Sequence, residues 1–143
     1  MNKKLLPLGL MFVSLSSVAA DFAITKTVTP YSMLGTARGH SMHRIMGHEY
    51  PRGYTARPAL VGVSWRATSF PQSVGEKAEL CMNRSGGGQD CIPITAGSSG
   101  HTEYFNTQSL VYTDNMIIRH SHESGPMRSQ PAGSNSVTFH IRY

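Results

Sequence analysis

Histidines and methionines cluster in residues 39–49, Gly-His-Ser-Met-His-Arg-Ile-Met-Gly-His-Glu. Three histidines are spaced by three and five residues, with two methionines between them: His40, Met42, His43, Met46 and His48. Imidazole nitrogen suits Cu(II) and thioether sulfur suits Cu(I), so the stretch has the ligand types of a copper-binding segment. His120 and His122 are further candidate ligands, because alternate residues of a strand share one face.

The simpler interpretation of the same residues is an exposed polar loop that binds no metal. No fixed metal-ligand spacing is matched, and Arg44 places a positive charge inside the cluster. We therefore predict no metal site and no cofactor, and keep a copper site built from the five residues of the 40–48 segment as the alternative.

Catalytic patterns are missing from the sequence. Residues 98–101 read Ser-Ser-Gly-His, but neighbours in sequence do not make a triad, which is assembled from separate elements. Neither a Gly-x-Ser-x-Gly elbow nor a His-Glu-x-x-His motif occurs. We predict a protein without catalytic residues that is not an enzyme. A second alternative is a sugar-stacking aromatic face, for which the candidates are Tyr50, Tyr54, Tyr104, Phe105 and Tyr112.

Residues 1–20 have the three parts of a secretory signal peptide. Lys3 and Lys4 precede a short apolar run over residues 5–13, and residues 17–20 (Ser-Val-Ala-Ala) are small. The apolar run is shorter than the roughly 20 residues that span a bilayer. We predict cleavage before Asp21, export to an oxidising compartment, and no membrane span after cleavage.

Cleavage would leave 123 residues, a length typical of one domain. Removing Lys3 and Lys4 from the 13 basic side chains leaves 11 against 8 acidic ones, a net charge of +3. The basic residues are scattered and form no run that would follow a phosphate backbone, so nucleic acid is not an expected partner.

The two cysteines of the chain, Cys81 and Cys91, flank a Ser-Gly-Gly-Gly turn at residues 85–88. This pattern predicts a β-hairpin with a disulfide between its strands, because glycine supplies the positive φ angles of a tight reversal. In the chain-entropy model, closing this 11-residue loop stabilises the fold by about 3 kcal/mol.

Short strand patterns separated by turn signals predict an all-β fold, a small single-domain antiparallel β-sandwich over residues 21–143. The predicted strands cover residues 21–29, 59–68, 77–83, 90–95, 101–105, 110–112, 115–120 and 137–143. In residues 59–68, alternation places Leu60 with Gly62 on one face and Val61, Val63 and Trp65 on the core face. Residues 31–58 are predicted as a long irregular segment with at most one short strand.

An ordered set of short motifs runs through residues 60–143. Trp65-Arg66 comes first, the cysteine pair follows, and Ser99-Gly100-x-Thr102-x-x-Phe105 and Ser134-Asn135 precede the terminal strand. Taken with the leader and the chain length, this set resembles the FlhE family of flagellar proteins. The histidine-rich 31–58 segment and the glycine expansion between the cysteines depart from the family's pattern.

The resemblance implies a non-enzymatic periplasmic protein at the flagellar type III export apparatus. Family members are associated with limiting proton leakage through the export gate and with handling exported rod subunits before assembly. The expected partners are therefore proteins of the export apparatus or its rod substrates. The family carries no catalytic residues that could be transferred to this chain.

Overall fold

The computed structural model describes residues 20–51 and 57–143, and the predicted signal peptide lies outside them apart from Ala20. The described residues form ten strands and a 3₁₀ turn at Gly47–Glu49. The strands are β1 Asp21–Val28, β2 Met33–Leu34, β3 Gly39–His43, β4 Ala59–Arg66, β5 Lys77–Asn83, β6 Gln89–Ile94, β7 Ser99–Thr102, β8 Asn115–Ser121, β9 Arg128–Ser129 and β10 Asn135–Arg142. The predicted all-β class is confirmed. Within these residues no helix is long and apolar enough to cross a membrane.

Two four-stranded antiparallel sheets make up the fold. The first sheet has the order β1-β10-β4-β7, and the second has the order β3-β8-β5-β6. The two-residue strands β2 and β9 pair separately with each other. This arrangement is the predicted antiparallel sandwich, and it places the long strand β10 in the interior of the first sheet.

Apolar side chains from both sheets meet in one core. The alternation predicted for the last strand is confirmed, because Val137, Phe139 and Ile141 of β10 are buried. They belong to the same cluster as Leu80 of β5 and Ile118 of β8 in the facing sheet. Burial of this apolar surface is the main favourable contribution to folding.

Strand β4 departs from strict alternation. Ile141 of β10 pairs with Leu60 whereas His140 pairs with Gly62, so Val61 is the extra residue of a β-bulge. Leu60 and Val63 are both buried in consequence. The predicted faces were therefore wrong at Leu60 and Val61, while the inward placement of Trp65, which packs against the core, is confirmed.

The disulfide hairpin is confirmed. Cys81 of β5 pairs directly with Cys91 of β6, and their sulfurs are bonded. Gly87 in the turn has a φ of 91°, the conformation that favours glycine. Both cysteines lie on the outer face of the second sheet, because Leu80 and Met82 on either side of Cys81 point into the core.

The segment predicted to be irregular contains β2, β3 and the 3₁₀ turn, and its residues 52–56 lie outside the described part. The strand predicted at residues 110–112 is absent. There the Asp114 carboxylate accepts hydrogen bonds from Val111 N at 3.1 Å and Ser85 N at 2.9 Å, which closes a turn instead. Leu110 is nevertheless buried in the core.

Candidate functional site

Strand β3 divides the residues of the alternative copper site between two faces. His40 and Met42 point outward to solvent, whereas Ser41 and His43 are buried between the sheets. Strand geometry forces this split, since residues one apart point to opposite sides. The structure therefore does not bring His40 and His43 together.

Met46 and His48 lie beyond the end of β3, in and beside the 3₁₀ turn. Met46 N donates to Glu49 Oε2 at 2.7 Å, and the Met46 sulfur accepts from the Arg44 guanidinium at 3.7 Å. Among the described residues, the one group of three His, Cys or acidic side chains with converging ligand atoms is Glu79 with the disulfide cysteines. Bonded sulfurs are not thiolate ligands, so that group is no metal site.

A buried polar network lies behind β3, between the sheets. Asn135 is central to it: its Nδ2 is 2.8 Å from Ser41 Oγ and 3.1 Å from His120 Nε2, and its Oδ1 accepts from Thr68 N at 2.7 Å. Ser41, His43, His120 and Asn135 are all essentially inaccessible to solvent. We call these four residues the interior network.

Two outer contacts complete the interior network. His43 Nδ1 is 3.0 Å from the Lys26 carbonyl oxygen, and His43 Nε2 is 2.9 Å from Ser41 Oγ. On the other side, His120 Nδ1 is 3.0 Å from Glu76 Oε1, while the second Glu76 oxygen accepts from Phe70 N at 3.0 Å. Every buried polar atom in the network thus has a partner, as burial of such groups requires.

The hydrogen bonds favour the neutral form of both histidines. A carbonyl oxygen only accepts, so His43 Nδ1 donates to Lys26. The Thr68 N–H sets the orientation of the Asn135 amide, which therefore donates to both Ser41 and His120 Nε2. Ser41 Oγ thus accepts from Asn135, and its own proton can be donated to His43 Nε2. A proton on His120 Nε2 would face the Asn135 N–H, and a proton on His43 Nε2 would take away this acceptor of the Ser41 hydroxyl.

Burial also favours the neutral form of both histidines. It lowers the pKa of His43 from 6.5 to about 4, against the opposing effect of the hydrogen bond to Lys26. Burial also lowers the pKa of His120, although the hydrogen bond and charge of Glu76 oppose this shift. Both imidazoles are shielded from any substrate, so the Ser41–His43 pair holds the sheets together and is not a catalytic pair.

Sequence reasoning missed the interior network, apart from identifying Asn135 as a family marker. Glu76 and Ser41 carried no motif, and His43 and His120 were considered only as metal ligands. The available signal was the alternation in Gly39–His43, which puts a serine and a histidine on the same face of a strand. His122, the remaining candidate ligand, instead contacts Ser73 Oγ at 2.9 Å and the Gly35 carbonyl at 2.6 Å.

The other family-marker residues are mostly structural. The Trp65 ring lies directly on the backbone of Gly100, its partner across β4 and β7, and a side chain at Gly100 would collide with the indole. Phe105 is fully buried, and Thr102 Oγ1 accepts from Tyr104 N at 3.1 Å. Three markers lie at the surface, namely Arg66, Ser99 and Ser134.

An exposed patch of mixed character lies on the outer side of β3 and continues to the β2–β9 pair. We define the β3 patch as Tyr31, Leu34, Arg38, His40, Met42 and Met127. The Tyr31 and His40 rings are in contact at 5.2 Å between centroids, and Gly35 N donates to the Met127 carbonyl at 2.8 Å. Four large apolar side chains of the patch are at least half exposed.

Arginine side chains border the β3 patch. Arg38 and His40 line a shallow depression together with Ile117 and Arg119 of β8. Arg128 lies directly across from Leu34 in the β2–β9 pair and is exposed. Exposed methionine, leucine and tyrosine side chains bordered by charge are typical of a protein-binding surface.

The aromatic residues considered for sugar stacking do not share one face. Phe105 is buried against the exposed Tyr104 ring, and Tyr112 is exposed. Tyr50 is partly buried against the core, and Tyr54 lies outside the described residues. The described aromatic side chains thus give no continuous platform for a sugar.

The fold is similar to that of a solved structure described as the crystal structure of FLHE. The TM-score is 0.59 at 17% sequence identity, and the match covers 86% of this chain and 98% of that chain. No protein-family model matches the sequence, and neither does any curated protein. At this identity, the likeness shows an FlhE-like fold.

Proposed function

We propose that this protein is a non-enzymatic periplasmic protein that acts at the flagellar type III export apparatus by binding other proteins. Its role would be to limit proton leakage through the export gate or to handle exported rod subunits before they assemble. The observation that carries the proposal is the correspondence with the FLHE structure along 98% of that chain. The motif order from Trp65 to Asn135 supports it independently.

An oxidising compartment is supported by the disulfide between Cys81 and Cys91. Such bonds persist in the periplasm and are rare in the cytosol. The predicted leader peptide gives the export route, and it agrees with a periplasmic location.

The β3 patch is the surface we assign to the partner. Its exposed tyrosine, leucine and methionine side chains would contact apolar anchors, and Arg38 and Arg128 would pair with acidic groups. The occupant we propose is therefore a protein segment that carries apolar and acidic side chains together. The buried side of β3 is anchored by hydrogen bonds of Ser41 to His43 and Asn135.

Site-specific photocrosslinking in a flagellated host tests this proposal. A benzophenone amino acid at position 42 replaces the half-exposed Met42 of the full-length exported chain. We expect crosslinks to export-gate components or rod subunits, identified by mass spectrometry of the captured products.

The matched control places the same probe at Thr27, an exposed position on β1 in the first sheet. Crosslinks from position 27 and none from position 42 would show that the partner binds at β1 and not at the β3 patch. If neither position captures an export or rod protein while the protein is folded in the periplasm, the flagellar proposal is wrong.

A further inference from the structure

Two histidines converge on the outer face of the first sheet, on a different sheet from the β3 patch. The rings of His101 and His140 are 5.4 Å apart between centroids and 66° apart in plane. Ser64 Oγ lies 3.0 Å from His101 Nδ1 and 2.8 Å from His140 Nε2. His101 is exposed and His140 is partly buried, so solvent reaches the pair.

The pair exists because the strand between the two histidines carries glycine. His101 is on β7 and His140 on β10, and β4 separates them, a backbone distance of roughly 10 Å for strands two apart. The imidazole of His101 lies across Gly62, where an added Cβ would be 2.7 Å from its Cε1 atom. A larger residue at position 62 would therefore displace the His101 ring.

A β-bulge at Val61 lies beside this arrangement. It turns Leu60 into the core together with Val63, whereas Gly62 and Ser64 share the outer face because residues two apart in a strand point to the same side. Bulges are frequent where a sheet re-aims side chains at a functional site. Gly62, which the His101 ring covers, and the hydroxyl of Ser64 thus lie between the two imidazoles.

The Ser64 hydroxyl brings one nitrogen of each imidazole, His101 Nδ1 and His140 Nε2, to the same point. A cation bound by these two nitrogens would take the place of their hydrogen bonds to Ser64 Oγ. Neutral imidazole nitrogen is a common ligand of divalent transition metals.

We propose that His101 and His140 form a two-histidine site for a divalent transition-metal ion on the outer face of the first sheet. Cu(II) is the expected ion, because it binds nitrogen ligands most tightly in the divalent series and the pair contains no sulfur ligand. Ser64 Oγ holds the two imidazoles together before the ion binds, and water fills the remaining positions around the bound ion. The site is independent of the proposed flagellar function and distinct from the 40–48 segment.

Titration of the tag-free exported protein with CuSO₄ at neutral pH tests the site, by calorimetry and by electron paramagnetic resonance. We expect one strong equivalent whose spectrum shows two nitrogen ligands. Replacing both histidines, His101→Ala with His140→Ala, should weaken the copper affinity by about tenfold or more. Mutation of a residue that only hydrogen-bonds to a metal ligand already weakens metal affinity by about that factor. Equal affinity of the wild type and this double variant would overturn the proposal.

Two matched variants distinguish copper binding at this site from copper binding at other histidines. Gly62→Ala keeps both imidazoles but moves His101 aside, so a loss of affinity of similar size is expected. The pair His40→Ala with His48→Ala removes two exposed histidines and should leave the affinity unchanged. A loss in the second variant and none in the first would assign copper to the 40–48 segment. If Gly62→Ala does not fold, as judged by circular dichroism, the double histidine variant decides.

Discussion

Asn135 joins parts of the chain that are far apart in sequence. Its amide contacts Ser41 from β3, His120 from β8 and the backbone of Thr68 after β4. Side chains of similar size without hydrogen-bonding groups would leave these partners unsatisfied in the interior. Since an unpaired buried group costs about 1–3 kcal/mol, the position is sensitive to substitution.

Asn135→Leu should lower the free energy of unfolding by roughly 3 kcal/mol, because it leaves the Thr68 N–H without an acceptor and removes the donor to His120. Urea unfolding at pH 7.5 measures the change. Its neighbour Ser134, whose hydroxyl makes an exposed contact with Thr29, is the control. Ser134→Ala should change stability by about 0.5 kcal/mol or less. Similar losses in both variants would refute the central role of Asn135.

Stability should fall as the pH drops below 6.5. His43 and His120 both have folded-state pKa values below 6.5, so the unfolded chain binds protons that the folded chain does not. With a folded pKa of about 4, His43 alone should account for roughly 1.5 kcal/mol lost between pH 6.5 and pH 5. Above about pH 7.5, where the unfolded imidazoles are neutral too, these two groups add no pH dependence.

Urea unfolding measured from pH 8 to pH 5 follows this loss. His43→Gln should flatten the slope below pH 6.5, whereas Met42→Gln, at the exposed neighbouring position of β3, should leave it unchanged. A wild-type profile that is flat between pH 6.5 and pH 5 would contradict the neutral state of the interior histidines.

At the scale of single elements, Trp65 and Gly100 show how two strands fit together. The indole of β4 covers the backbone of the glycine opposite it on β7, and this packing has no room for a Cβ. An aromatic ring over a cross-strand glycine compensates for the packing that the glycine lacks. The contact fixes the edge strand β7 to the sheet.

Gly100→Ala should destabilise the protein by about 2 kcal/mol, because the indole must move to admit the methyl group. Thermal unfolding gives the size of the effect, and fluorescence of the single tryptophan reports the changed environment. Gly88→Ala in the hairpin turn is the control, since nothing lies within 4 Å of its added Cβ. Unaltered fluorescence and stability in Gly100→Ala would show that the ring does not pack there.

Elements with regular patterns were predictable from sequence, whereas those that depend on distant partners were not. β1 and β10 alternate along their length and lie where alternation places them. The bulge in β4 follows from pairing with β10, so no local pattern revealed it. Likewise His43 and His120 resemble surface ligands until Asn135 and Glu76, from other strands and turns, supply their partners.

At the scale of the molecule, the described residues form two four-stranded sheets with an apolar core, the interior network between them and a disulfide on the outer face of the second sheet. The disulfide joins β5 and β6 within the second sheet. It therefore stabilises one hairpin and does not tie the two sheets together. Its effect on global stability should be limited to the entropy of a short loop.

Replacing both cysteines by alanine should lower the free energy of unfolding by about 3 kcal/mol and leave the fold intact. Urea unfolding with and without reductant measures this. The wild type should lose a similar amount on reduction, and the double variant should not respond to reductant. Two free thiols detected by alkylation of periplasmic material would contradict the bond.

The position of β10 in the first sheet has a consequence for folding order. β10 lies between β1 and β4, and Asp21 of the first strand pairs with Arg142 at the far end of the sequence. Among the described residues β1 pairs with β10 alone, so under the proposed export it stays unpaired until β10 has also crossed the membrane. Pairing across such a separation is slow, on the order of milliseconds to seconds for all-β chains. Under the same proposal, we expect the chain to arrive unfolded and to assemble its first sheet only after β10 has been transported.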